Sequence, residues 1–283
     1  MGTRTIEIEG ADGPLALSVA EAGEGGRPLV LVHGFTGAKE DFTDWLEALA
    51  ERGWHAVAPD QRGHGESPKP DDAAAYSFDV FAGDLLGLFD ALGWDDAVAL
   101  GHSMGGMVVQ TAVLRSPERF SAVILMDTSH RALKGLDAGI VEAAGALARA
   151  EGMAAVLAAQ AELAEAQPPS AARVLAERPG YAEFGDRKLL ASSPAMYGTM
   201  LREITDAVGG VDRLEELRGV KVPALVIVGE EDRPFVKPSQ RMAEAIPDAR
   251  LAVIPDAAHC PQFENEPAWW AALTSFLDGL PAS

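Results

Sequence analysis

Residues 97–107 read Ala-Val-Ala-Leu-Gly-His-Ser-Met-Gly-Gly-Met. Ala97 to Leu100 form a short apolar run suited to a strand buried on both faces. A helical pattern follows, with Met107, Val108, Ala112 and Leu114 on its apolar side. Between them, Gly101-His102-Ser103-Met104-Gly105 matches G-x-S-x-G. That spacing suits a serine on a sharp strand-to-helix turn, its hydroxyl projecting from strained backbone. The glycines two residues to either side remove Cβ atoms that would collide there. A helix starting at Met104 directs free N–H groups and its positive dipole end at the hydroxyl. In a chain with 29 glycines the five residues alone carry little weight, and the bland alternative is a Gly-rich turn with an incidental serine. The flanking strand and helix favour the nucleophile.

Outward from this turn the chain alternates strands and helices. Ile6–Ile8 and Leu15–Ala20 read as an antiparallel pair around the turn Ala11-Asp12-Gly13-Pro14. Pro28–Val32, Ala56–Pro59, Ala122–Met126, Ala224–Val228 and Leu251–Ile254 read as further strands. A helix carries Trp45, Leu46 and Leu49 on one stripe, and Phe78–Leu92 has a second helical period. The alternation predicts an α/β protein with a mostly parallel, doubly wound sheet. From about His130 to Val211 strand signals vanish and Ala, Glu and Leu dominate. Asp137–Ala150 and Met153–Ala166 read as helices, Ser170 as the cap of a third, and Ser193-Pro194 as a cap followed by a first-turn proline. The division expected is residues 1–129 and 212–283 as a core, with 130–211 as a helical cap inserted after the sixth strand. Such an insert at the carboxyl edge of a parallel sheet reads as a lid over the ligand site, the alternative being an appendage with no ligand role.

A serine hydroxyl needs a general base, normally a histidine oriented by a carboxylate. With a nucleophile on this kind of turn the chain order is Ser, acid, His. Of the six histidines only His130 and His259 follow Ser103. His130 opens the lid, whereas His259 follows the final strand, so His259 is the expected base in preference to a surface-loop histidine. Asp232, in Gly229-Glu230-Glu231-Asp232 after the strand 224–228, is the expected acid. Glu230 and Glu231 read as solvated charges, and Asp127, at the end of the strand 122–126, is the rival acid. The backbone N–H groups of Met104 and Phe35, the latter in His33-Gly34-Phe35-Thr36-Gly37, are the expected oxyanion donors. Their side chains line an acyl pocket or belong to the core, and His33 is read as structural. The lid offers Met153, Leu157, Met196, Tyr197 and Met200 as pocket candidates, although apolar stripes at helical spacing more often face a core.

The net charge of −20 disfavours nucleic acid and anionic membrane surfaces as partners. No apolar stretch approaches the roughly 20 residues of a membrane span. The single cysteine, Cys260, precludes an internal disulfide and fits a reducing cytoplasm. The start, MGTRTIEIEG, alternates apolar and charged residues and lacks the apolar core of a secretory signal. The expectation is a cytoplasmic protein, monomer or homodimer, acting on a small molecule. No metal or organic cofactor is implied.

The stretches HGFTG (33–37), DQRGHGES (60–67), GHSMGG (101–106), LVIVGEEDRP (225–234) and AHCPQFENEP (258–267) together resemble the α/β-hydrolase superfamily, in its usual order and intervals. The resemblance implies an α/β-hydrolase fold, Ser103, Asp232 and His259 as nucleophile, acid and base, and Phe35 and Met104 as oxyanion donors. It also implies a structural loop at Asp60–Ser67, with His64 outside the chemistry. Haloalkane dehalogenases and epoxide hydrolases carry aspartate where this chain has Ser103. Carbon–carbon hydrolases of the meta-cleavage type usually carry Asn and Trp where it has His102 and Cys260. Haloperoxidases and perhydrolases place more aromatic residues around the turn, where only Phe35 fits. Small-ester carboxylesterases and 3-oxoadipate enol-lactonases match best. One departure is Glu264-Asn265-Glu266-Pro267, where the family often has proline one residue earlier. The expected reaction is hydrolysis of a carboxylic ester or lactone of a small, largely apolar substrate through an acyl-enzyme. The alternatives are carbon–carbon or perhydrolase chemistry with the same triad and, more remotely, a ligand receptor without turnover.

Overall fold

A strand buried on both faces must alternate its side chains between two apolar layers. In the computed structural model, which describes residues 1–162, 167–205 and 210–281, the chain does this throughout its centre. Along Arg27–Val32, Val30 and Val32 face one layer, and Leu29 and Leu31 the other. Along Ala97–His102, Ala97 and Ala99 alternate in the same way with Val98 and Leu100.

Among the described residues eight strands form one sheet: β1 (Gly2–Gly10), β2 (Gly13–Ala22), β3 (Arg27–Val32), β4 (Trp54–Pro59), β5 (Ala97–His102), β6 (Phe120–Met126), β7 (Ala224–Gly229) and β8 (Ala249–Ile254). Their order is β1-β2-β4-β3-β5-β6-β7-β8. The β1–β2 hairpin runs antiparallel and every pairing from β4 to β8 is parallel. The register lays Val30 between Val57 and Ala99. The helices of the core are α1 (Thr43–Glu51), α2 (Phe78–Leu92) and α3 (Met104–Arg115). Between β6 and β7 come α4 (Ala138–Glu151), α5 (Met153–Glu162), α6 (Pro169–Glu177), α7 (Tyr181–Leu190), α8 (Pro194–Ile204) and α9 (Leu214–Leu217). The chain continues through α10 (Arg233–Ala245), α11 (Pro261–Glu264) and α12 (Glu266–Asp278). Trp45, Leu46 and Leu49 of α1 pack with Trp269, Leu273 and Leu277 of α12 on one face of the sheet. The apolar sides of α2, α3 and α10 cover the other.

The segment between β6 and β7 is helical among its described residues, and two isolated bridges, Arg131 with Asp212 and Leu133 with Thr205, tie its ends together. Asp137 caps α4, and the Ser193 hydroxyl accepts the Met196 N–H at the start of α8. Residues 163–166 of the expected second lid helix lie outside the described residues, and α5 is described to Glu162. Ser170 does not cap α6, which opens at Pro169 with Pro168 in the cap position. Its N–H (2.9 Å) and hydroxyl (2.8 Å) instead donate to Glu231. Glu231 is therefore a contact between core and insert and not a freely solvated charge, because two donors outweigh one more helix cap. No described helix is long and apolar enough to cross a membrane.

Candidate active site

Ser103 sits between β5 and α3 with φ 54° and ψ −118°, a conformation that L side chains rarely adopt. Its N–H donates to the Met126 carbonyl (2.9 Å), and the Thr128 hydroxyl donates to its own carbonyl (2.6 Å). Both partners come from β6 or the residues just after it, so the neighbouring strand clamps the turn. A Cβ on Gly105 would lie 2.3 Å from the Val32 carbonyl oxygen, and one on Gly101 2.4 Å from the Gly105 carbonyl oxygen. Only glycine fits at either place.

The structure brings the three expected residues together. His259 Nε2 lies 3.0 Å from Ser103 Oγ, and His259 Nδ1 lies 2.8 Å from Asp232 Oδ2. The tautomer with Nδ1–H donating to Asp232 leaves Nε2 free to accept the serine proton. Asp232, at the start of α10, is 6% exposed. The His259 ring is held between Phe235 (4.8 Å between ring centroids) and His102 (4.9 Å). The rival acid Asp127 is fully buried beside the pair but is not hydrogen-bonded to the histidine. Its Oδ1 accepts the Gly229 N–H at 2.8 Å.

Neither the Phe35 N–H nor the Met104 N–H donates to a protein acceptor among the described residues. Two orphan donors beside a serine hydroxyl can hold a developing oxyanion. Phe35 itself stacks on Tyr197 (5.1 Å, 29°), joining the loop after β3 to α8. His33 is structural, its Nδ1–H donating to Gly34 O (2.8 Å) and its Nε2 accepting the Gln61 N–H (3.1 Å). His64, fully buried, donates Nδ1–H to Arg62 O at 3.0 Å.

A cavity of about 170 Å³ opens at Ser103, lined by the loop Gly34–Gly37, Asp41, His102, Gly185, Lys188, His259 and Cys260. The expected lid contacts do not line it. Met153, Met196, Tyr197 and Met200 are buried in the main core cluster, and Leu157 packs against it. Their apolar stripe seals the insert to the core, and Tyr197 reaches the site through its stacking on Phe35. The wall that α7 contributes is more polar than expected: the Lys188 ammonium pairs with Asp41 and lies 4.1 Å over the Phe184 ring. Burial pushes the Cys260 thiol well above its ordinary range, so it faces the cavity protonated.

His102 is one of the site residues that the sequence left unassigned. Its Nε2–H donates to the His259 carbonyl at 2.7 Å, fixing the backbone that carries the base. Burial, reinforced by the neighbouring His259, pushes the His102 pKa down to about 3. The folded imidazole is therefore neutral, while an unfolded chain takes up a proton near pH 6.5. A depressed pKa contributes stability that is complete above the unfolded value and lost as pH falls toward the folded one. Relative to a His102→Gln variant, the wild type is expected to lose up to about 1.4 kcal/mol per pH unit below 6.5. Melting temperatures of both proteins from pH 7 to 5 check this, and a gap that does not change with pH would contradict it.

A family model described as the alpha/beta hydrolase fold matches residues 27–266. Epoxide hydrolase A of Mycobacterium tuberculosis is 41% identical over 124 residues, 44% of this chain but only 38% of that protein. The 2-(acetamidomethylene)succinate hydrolase of Mesorhizobium japonicum is 30% identical over 279 residues, covering 98% of this chain and 95% of that protein. The crystal structure of the enol-lactonase from Burkholderia xenovorans superposes with a TM-score of 0.80 at 26% identity, over 96% of this chain and 99% of that one. Matched from β3 into α12, with a relative and a solved neighbour that span nearly its whole length, this chain belongs to the α/β-hydrolase family and is an enzyme.

Proposed function

We propose that the enzyme hydrolyses a small carboxylic ester or lactone through an acyl-enzyme on Ser103. The observation that carries this reading is the continuous chain Ser103 Oγ, His259, Asp232, with contacts of 3.0 and 2.8 Å. His259 Nε2 takes the hydroxyl proton as Oγ attacks the carbonyl carbon, and Asp232 stabilises the imidazolium. The Phe35 and Met104 N–H groups hold the oxyanion. Collapse of the tetrahedral species expels the alkoxide, which takes the proton from His259. Water, deprotonated in turn by His259, then releases the carboxylate. Residues 130–211 act as the lid, with α7 supplying one wall of the cavity. A space of about 170 Å³ suits a small acyl group, and the Asp41–Lys188 wall admits polar substituents. The enol-lactonase neighbour agrees with the lactone reading. Against epoxide opening stands the serine at position 103, where epoxide hydrolases carry aspartate.

Steady-state assays on p-nitrophenyl acyl esters, lactones and vinylogous diketones test the reading. Multiple turnover of esters or lactones is expected. Turnover confined to diketones, or to halogenation with peroxide, would replace it with carbon–carbon or perhydrolase chemistry. Stoichiometric binding without turnover would indicate a receptor.

A further inference from the structure

We propose that Asp127 is held as a neutral carboxylic acid whose O–H donates to the Asp232 carboxylate, making it a positioning residue for the acid of the triad. The inference rests on the assignment of Asp232 to that triad.

Asp127 is the residue after β6 and has φ 44°, in the left-handed region that Asp and Asn tolerate better than most residues. Its N–H donates to Ile227 O (2.9 Å), and it has no solvent exposure. One carboxyl oxygen accepts the Gly229 N–H. The other, Oδ2, is buried with no donor to satisfy it. Polar atoms of Asp127, Asp232 and His259 lie within 4.8 Å of one another, so the two carboxyl groups are close neighbours in a buried cluster.

Two buried carboxylates this close oppose each other's ionisation unless a cation lies between them. No lysine or arginine pairs with either among the described residues. The groups that face Asp127 are Asp232 at the start of α10, His259 in the loop after β8, Glu264 in α11 and the neutral Cys260 thiol. Glu264 accepts the Ala258 N–H and adds a third acid to the cluster. One proton must therefore sit between Asp127 and Asp232. Asp232 has the histidine N–H to stabilise its charge, whereas Asp127 accepts from a single backbone amide. The proton belongs on Asp127. Burial, and then the charge on Asp232, raises its pKa well above the usual carboxylate range. An acid O–H on Oδ2 would satisfy that orphaned atom, fix the rotation of Asp232, and draw charge away from the oxygen that holds His259.

The test uses Asp127→Asn and Asp127→Ala in the full chain. The Asn amide supplies both bonds, donating N–H to Asp232 and accepting from Gly229. Asp127→Asn should therefore keep kcat and the acid-limb midpoint of the kcat/KM pH profile. Asp127→Ala removes the donor and should lower kcat by about tenfold or more and raise that midpoint, as a purely structural role would not. A midpoint that falls in Asp127→Asn would show that an anion had been removed and would overturn the proposal, as would an Asp127→Ala protein with wild-type kinetics. An activity-independent readout is the infrared difference spectrum between wild type and Asp127→Asn at pH 7. It should contain a protonated-carboxyl C=O band, and its absence would also overturn the proposal. The spectrum still reports the proton if the wild type turns over no ester or lactone, so failure of the functional reading is recognisable separately.

Discussion

Replacing Ser103 with alanine is expected to lower kcat on p-nitrophenyl esters by about 10⁶-fold while leaving the fold intact. The substitution removes one oxygen from a turn whose shape comes from elsewhere. The Ser103 N–H to Met126, the Thr128 hydroxyl to the Ser103 carbonyl, and the close approaches of Gly101 and Gly105 all survive it. The nucleophile is lost, so covalent acyl transfer is lost with it. The free N–H groups of Phe35 and Met104 remain and give the residual catalysis over water typical of such variants. Labelling with a fluorophosphonate should vanish in parallel, and circular dichroism should be unchanged. Turnover above about one per cent of wild type, a loss of barely 10²-fold, would be far too small for a missing nucleophile and would place the attacking group elsewhere.

What could be read from the sequence followed how local its physical cause was. β3 and β5 were legible because a parallel strand covered on both faces leaves an apolar run, here 28–32 and 97–100. The serine turn was legible because its backbone geometry demands glycine at fixed offsets. β8 begins two residues before its apolar signal, at Ala249 and Arg250, since it lies at the sheet edge and is largely exposed. α7 left little trace: it starts after a left-handed Gly180 with no side-chain cap and carries four charged residues among ten. Missing it meant missing Lys188 and Gly185 in the cavity wall. The lid methionines sit at helical spacing as read, but a stripe that seals against a core and a stripe that lines a pocket have the same period. Ser170 went to a partner 61 positions away, which no local rule foresees. The choice between Asp127 and Asp232 was of the same kind. Both follow strand ends, and only the fold shows that the Asp232 carboxylate meets His259, which follows β8, the strand beside β7.

That choice sets the second large effect. Asp232→Asn is expected to lower kcat by about 10⁴-fold. The amide presents a donor or a weaker acceptor to Nδ1, so the tautomer with its proton on Nε2 is favoured, and that nitrogen can no longer accept from Ser103. The imidazolium formed during attack also loses its counter-charge. The loss corresponds to about 5.4 kcal/mol of transition-state stabilisation. Asp127 offers no substitute, because one of its carboxyl oxygens is taken by the Gly229 N–H and neither makes a hydrogen bond to His259. Asn at 232 and Asn at 127 therefore make a matched pair of isosteric changes in one buried cluster. The first should be crippled and the second close to wild type, measured as kcat at saturating ester above the acid limb. Equal losses in the two would mean that the acid function is shared across the pair, and Asp232 would lose its separate role.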